Sequence, residues 1–184
     1  MKKIILTLIA LLISTITFAD CYGWKEGDVV FQISKSKQSP LIQMATHSVW
    51  SHCGIVVKKG NAFYVLEASN VVKLTPADEW VDRGRFCIIK VRRMSEKPVK
   101  IHYSQYLGKP YDLSFKFNNN RWYCSELVYD IYLKQFGVQL CKPRKVKDYH
   151  LFGLSKKMRQ RGITEDQEVV APSDLLDSKL LYNV

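Results

Sequence analysis

From Ser51 to Ala68 the chain holds two apolar runs rich in β-branched and aromatic residues, Ser51-His52-Cys53-Gly54-Ile55-Val56-Val57 and Ala62-Phe63-Tyr64-Val65-Leu66-Glu67-Ala68, joined through Lys58-Lys59-Gly60-Asn61. That pattern predicts an antiparallel hairpin and commits the region to a small sheet. If Lys59-Gly60 is a two-residue turn, Lys58 pairs with Asn61 and His52 stands directly opposite Glu67. Opposed residues on antiparallel strands share a face, so the only acid of one strand would meet the histidine that interrupts the other. A bulged turn would shift this register by one residue.

The remaining elements gather around that hairpin. Asp28–Ile33 is β-rich and reads as an earlier strand, and Phe86–Val91 as a later one that closes the sheet. Ser39–Thr46 fits a short helix with Ser39 as cap and Pro40 at its first position. Thr75-Pro76-Ala77-Asp78-Glu79-Trp80 has a helix-start pattern, with Thr75 as cap and acid in the first turn. Pro98–Leu107 is expected to be helical and to stop at Gly108, leaving Lys109–Asp112 as loop. Leu127, Val128, Ile131, Tyr132 and Phe136 recur at three and four, giving a helix that starts close to Cys124 and ends before Gly137. Beyond Cys141 the chain is basic and weakly patterned, with a final helix expected near Ser173–Leu181.

Two lysines, an apolar stretch from Ile4 to Ile13 and Thr17-Phe18-Ala19 match a secretory signal peptide cleaved after Ala19. The stretch is shorter than the about 20 apolar residues of a membrane span. Residues 20–184 then form a single domain, exported to the periplasm or secreted, and read as a monomer. Asp20 before Cys21 argues against a lipidated cysteine, since a lipoprotein signal wants a small residue there. Formal net charge is +11, or +9 without Lys2 and Lys3, and is spread along the chain. It favours anionic lipid or a cell-wall surface. No nucleic-acid motif has the required spacing, so no nucleic-acid partner is expected.

Five cysteines, Cys21, Cys53, Cys87, Cys124 and Cys141, leave an odd thiol in an oxidising compartment. If Cys124 is that thiol, the other four can form up to two disulfides in any of three connectivities. No spacing suits a zinc site, so neither metal nor cofactor is assigned.

Cys124 lies in Arg121-Trp122-Tyr123-Cys124-Ser125-Glu126, at the mouth of the predicted helix. Unpaired N–H groups and the positive end of the helix dipole there favour a thiolate, the attacking form of cysteine. The same N–H groups can hold the oxyanion of an attacked carbonyl. A thiol nucleophile needs a base and a group to orient it, and the hairpin supplies His52 and Glu67. Tyr123, Tyr111, Asp112 and His47 are candidates for supporting substrate or oxyanion. Ser125 and Glu126 are read as serving the helix, and His102 and His150 as surface residues.

Six blocks, in order, carry a family resemblance: Asp28–Ser34, Ala45–Ser48, Ser51-His52-x-Gly54, Leu66–Ala68, Leu107–Asp112 and Tyr123–Val128, with a weaker echo at Ala171-Pro172-Ser173. Together they resemble the YiiX/YaeF-type permuted papain-like amidases of the NlpC-type superfamily, which also includes the lecithin:retinol acyltransferases. The resemblance implies an α+β, circularly permuted papain-like fold. In it a small antiparallel sheet packs against a helix bearing the nucleophilic cysteine at its N-terminus. It also implies Cys124 as nucleophile, His52 as base and Glu67 as the residue orienting it. Three departures stand out. Cys53 replaces a small or β-branched residue and is expected to point off the catalytic face, paired or buried. The stretch from Val91 to Leu107 is short for the family, and the basic region Lys142–Arg161 has no counterpart.

The expected activity is that of an exported cysteine hydrolase, an amidase or peptidase, cleaving an amide through an acyl-enzyme on Cys124. Its partner would be a cell-wall peptide or an N-acyl, lipid-like amide of the cell envelope. The alternatives are an acyltransferase or lipid esterase using the same three residues, or an inactive envelope-binding module.

Overall fold

A computed structural model describes residues 23–184; the expected signal peptide, residues 1–19, and Cys21 lie outside the described residues. Six strands form one antiparallel sheet: β1 (Val29–Ser34), β2 (His52–Lys59), β3 (Ala62–Ala68), β4 (Val72–Pro76), β5 (Gly84–Arg93) and β8 (Tyr182–Asn183). Their spatial order is β4-β3-β2-β1-β5-β8, with a two-stranded ribbon of β6 (Arg144–Lys145) and β7 (Glu168–Val169) beside them. Among the described residues there are five α-helices: α1 (Ser39–Thr46), α2 (Ala77–Arg83), α3 (Cys124–Phe136), α4 (Ser155–Arg161) and α5 (Pro172–Leu176).

Strand alternation sends side chains to two faces. Val29, Phe31, Cys53, Ile55, Val57 and Leu66 pack with Leu127, Val128 and Ile131 of α3. Val30, Val56, Val65 and Val91 pack on the other face with Ala77, Trp80 and Val81 of α2. Both faces of the central strands are therefore covered, which explains why β2 reads as a nearly continuous apolar run.

The hairpin turns at Gly60-Asn61 rather than Lys59-Gly60, with Lys59 paired to Ala62 and Ile55 to Leu66. His52 is thus not directly opposite Glu67. The register differs from the expected one by two residues, and a shift of two keeps both side chains on the same face. Gly60 takes the left-handed conformation, φ 62°, that this turn requires. Gly54 is needed for a different reason: a Cβ there would lie 2.4 Å from Val65 Cγ1 and 2.7 Å from the Leu66 carbonyl oxygen.

Other boundaries depart from expectation for identifiable reasons. Pro98–Leu107 is not a helix. The N–H of Val99 donates to the Glu26 carbonyl and that of Ile101 to the Glu26 carboxylate, so these donors pair with a distant segment instead of the preceding turn. Thr75 belongs to β4 and Pro76 takes the cap position of α2. Gln38 occupies the cap position of α1, while Ser39 is buried and its hydroxyl meets that of Ser51 at 2.6 Å. The final helix is Pro172–Leu176, which overlaps the start of the expected span and stops short of its end, and α4 arises within the weakly patterned basic region. α3 follows the periodicity and ends at Gly137, φ 66°, whose N–H reaches the Leu133 carbonyl.

Candidate active site

Glu67 is fully buried and receives four donors. His52 Nε2 lies 2.6 Å from one carboxylate oxygen, joined there by Trp80 Nε1 at 3.2 Å. Thr75 Oγ1 at 2.6 Å and Arg83 Nη2 at 2.5 Å donate to the other. Burial would raise the Glu67 carboxyl, but hydrogen bonding and charge from His52, then Arg83 and Thr75, hold it well below the usual carboxylate range. The acid is thereby kept ionised and its orientation set from several sides.

His52 is the first residue of β2, where the sheet ends, and this position lets its ring approach the helix that covers the opposite face. With Nε2 committed to Glu67, Nδ1 remains as the ring's second nitrogen. Burial pulls the imidazole down, yet hydrogen bonding and charge from Cys124, followed by Glu67, outweigh it and push it up to about 9. Cys124 begins α3 after an extended Tyr123 and is 3 % exposed. Its thiol is held well below the ordinary range, first by hydrogen bonding from the Cys53 thiol, against burial, and then by His52. Both shifts favour an imidazolium beside a thiolate.

Cys53 points off the face that carries His52 and Glu67 and is buried, as expected, and it is unpaired; on the α3 side its thiol interacts with Cys124. Burial pushes the Cys53 thiol up, so it remains a protonated donor. Cys87 and Cys141 are free as well.

Two clefts meet at this pair. A cavity of about 140 Å³ reaches Cys124 and is walled by apolar side chains, among them Leu41, Ile42, Tyr123, Leu154, Met158 and Val170. Lys157 and Arg161 also line it, and among the described residues no acidic one does. The second cleft reaches His52 and is polar, with Gln32, Ser34, Lys35, Ser51, Asn70 and Arg83 in its walls. Tyr111 borders both, beside Cys124 on one side and His52 on the other.

The other candidates separate. Tyr123 lines the apolar cavity, but its hydroxyl accepts the Val170 N–H at 3.2 Å and its ring packs edge-on to Phe115. Asp112 is buried and accepts from the N–H groups of Ser114 and Lys116, the Ser114 hydroxyl and the Asn119 amide, so it shapes the loop that carries Phe115. His47 caps α1 with φ 50° and packs edge-on against His150 with ring centres 4.7 Å apart, outside the linings of both clefts. Ser125 donates to the Val170 carbonyl, tying α3 to the chain before α5. Sequence reasoning missed Thr75, Trp80 and Arg83 as partners of Glu67. The helix-start pattern over Thr75–Trp80 carried a local signal and concealed a tertiary role, and Arg83 lay beyond it.

A histidine, a buried ionised acid and a cysteine at a helix start, in that chain order, define a papain-like cysteine hydrolase with its histidine strand ahead of its cysteine helix. A family model described as permuted papain-like amidase enzyme, YaeF/YiiX, C92 family, matches residues 23–184, and the chain belongs to that family. It is 36 % identical over 188 residues to the uncharacterized protein YiiX of Escherichia coli strain K12, covering 95 % of this chain and 93 % of the relative. The crystal structure of metalloprotein yiiX from Escherichia coli O157:H7 superposes with a TM-score of 0.78 at 35 % identity, over 87 % of this chain and 96 % of that one. In this chain no group of three or more His, Cys, Asp or Glu side chains is placed to hold a metal ion among the described residues.

Proposed function

We propose that the protein is an exported cysteine amidase that hydrolyses N-acyl amides with a long apolar acyl group, through an acyl-enzyme on Cys124. The observation that carries this reading is the junction of the two clefts. The group attached to the thiol must lie on the Cys124 side, and the departing amine on the side of the acid that protonates it. The Cys124 side is apolar and suits an acyl chain. The His52 side is polar and suits an amine and then water.

The chemistry follows from the charges. The Cys124 thiolate attacks the amide carbonyl, and the first-turn N–H groups of α3 face the developing oxyanion. The His52 imidazolium gives its proton to the amine nitrogen as the C–N bond breaks, leaving a thioester. Water then attacks the thioester carbonyl while His52 takes its proton, releasing the carboxylic acid and restoring the thiolate–imidazolium pair. Glu67 stays ionised throughout and stabilises the imidazolium. The polar second cleft favours water over an apolar acceptor, and so hydrolysis over acyl transfer.

Incubation with N-acyl glycines of increasing chain length tests the reading. Release of glycine should rise with chain length, with an acyl adduct on Cys124 in the intact mass and no turnover by Cys124→Ala. Equal rates on acetyl and dodecanoyl substrates would remove the apolar cavity from the argument, and full activity in Cys124→Ala would sink the mechanism. Transfer of the acyl group to an added amine in preference to water would favour the acyltransferase instead.

A further inference from the structure

The segment from Leu151 through α4 has two sides. Leu151, Leu154, Lys157, Met158 and Arg161 line the apolar cavity, so the segment forms part of its wall. Phe152, in the turn just before α4, leaves 81 % of its surface in solvent. Lys156 and Arg159, three apart on the helix, are also exposed, and α4 buries none of its residues. Between Lys142 and Arg161 the chain carries eight basic side chains and one acid, Asp148. Arg144, Lys145 and Lys147 are matched by Asp174 and Asp166, whereas Lys156, Lys157 and Arg159 form no ion pair among the described residues.

An aromatic side chain held in water beside unmatched cations is the surface chemistry of an interfacial segment. Its apolar part enters the headgroup and acyl boundary while the cations meet anionic headgroups. We propose that Leu151–Arg161 docks the protein on an anionic lipid bilayer, with Phe152 inserted and Lys156 and Arg159 against the lipid phosphates, so that the cavity wall it forms faces the lipid. Charge alone would also suit an anionic wall polymer. That partner has no use for an exposed phenyl ring next to an apolar cavity, so the bilayer is the occupant the geometry favours.

The proposal stands apart from the amidase reading, because docking is measured without turnover. Purified protein, with the same N-terminus in every variant, is co-sedimented with vesicles of phosphatidylcholine alone and with vesicles half phosphatidylglycerol. Binding should require phosphatidylglycerol and weaken with salt. Phe152→Ser and the double variant Lys156→Gln/Arg159→Gln should each lower the partition coefficient about tenfold, with the Cys124 alkylation rate unchanged as evidence of an intact fold. Absence of binding to the anionic vesicles overturns the proposal, as does binding that Phe152→Ser leaves intact. A dimer in sedimentation that Phe152→Ser dissociates would assign the surface to a second copy and overturn it equally.

Discussion

At the scale of single residues, the site is governed by how each charge is compensated. Cys124 is acidified by two neighbours of different kinds, a buried thiol donor and an imidazolium, and each predicts its own effect. The iodoacetamide reaction of Cys124 should stay fast well below pH 8. His52→Ala should move its midpoint up into the ordinary thiol range. Cys53→Ala should move it in the same direction while leaving His52 in place; an unchanged midpoint in Cys53→Ala would remove that thiol from the account. Glu67 carries a further pH dependence. Its folded value is depressed, so its contribution to stability is complete above about 4.5 and is lost as the pH falls toward the folded value. Glu67→Gln, which leaves Arg83 and His52 facing a neutral group, should cost about 3 kcal/mol in urea unfolding at pH 7. The difference between variant and wild type should shrink at pH 3. An undiminished difference there would mean that the carboxylate's charge is not what holds the cluster.

Among the elements, the β2–β3 hairpin and α3 do the positioning. The hairpin brings His52 and Glu67 to one face, and its strands approach closely because Gly54 has no side chain. Gly54→Ala places a methyl against backbone and Val65, with no flexible chain end alone to yield, and should destabilise by about 1–3 kcal/mol. Thermal unfolding measures this, together with a loss of fast alkylation at Cys124 if the hairpin shifts. These elements were legible from residue order because their signals are local: alternation in β2 and β3, three-and-four spacing in α3, and a glycine after its last turn. The span from Pro98 to Leu107 was misread because composition reports helix propensity but not that Glu26 captures its N–H groups. The register of the hairpin was off by two residues, yet the inference about faces survived, since parity is all that a face requires.

Across the whole molecule, the decisive feature is that two clefts of opposite polarity converge on one pair of side chains. Met158 lies on the apolar wall, and Met158→Trp should fill part of that cavity. Under the proposed activity it should shift preference toward shorter acyl chains, lowering kcat/KM for dodecanoyl substrates by about tenfold while sparing acetyl ones. Equal losses on both would point to general damage instead. From its residues alone the chain determined the strands of the hairpin, the helix opening at Cys124 and the three residues most suited to the chemistry. Each of these depends on spacing between near neighbours. Only the tertiary structure decided that Cys53 sits against the nucleophile, that Thr75, Trp80 and Arg83 clamp Glu67, and that α4 walls an apolar cavity. Those contacts join segments far apart in the chain, and packing in three dimensions selects them where periodicity along one dimension cannot.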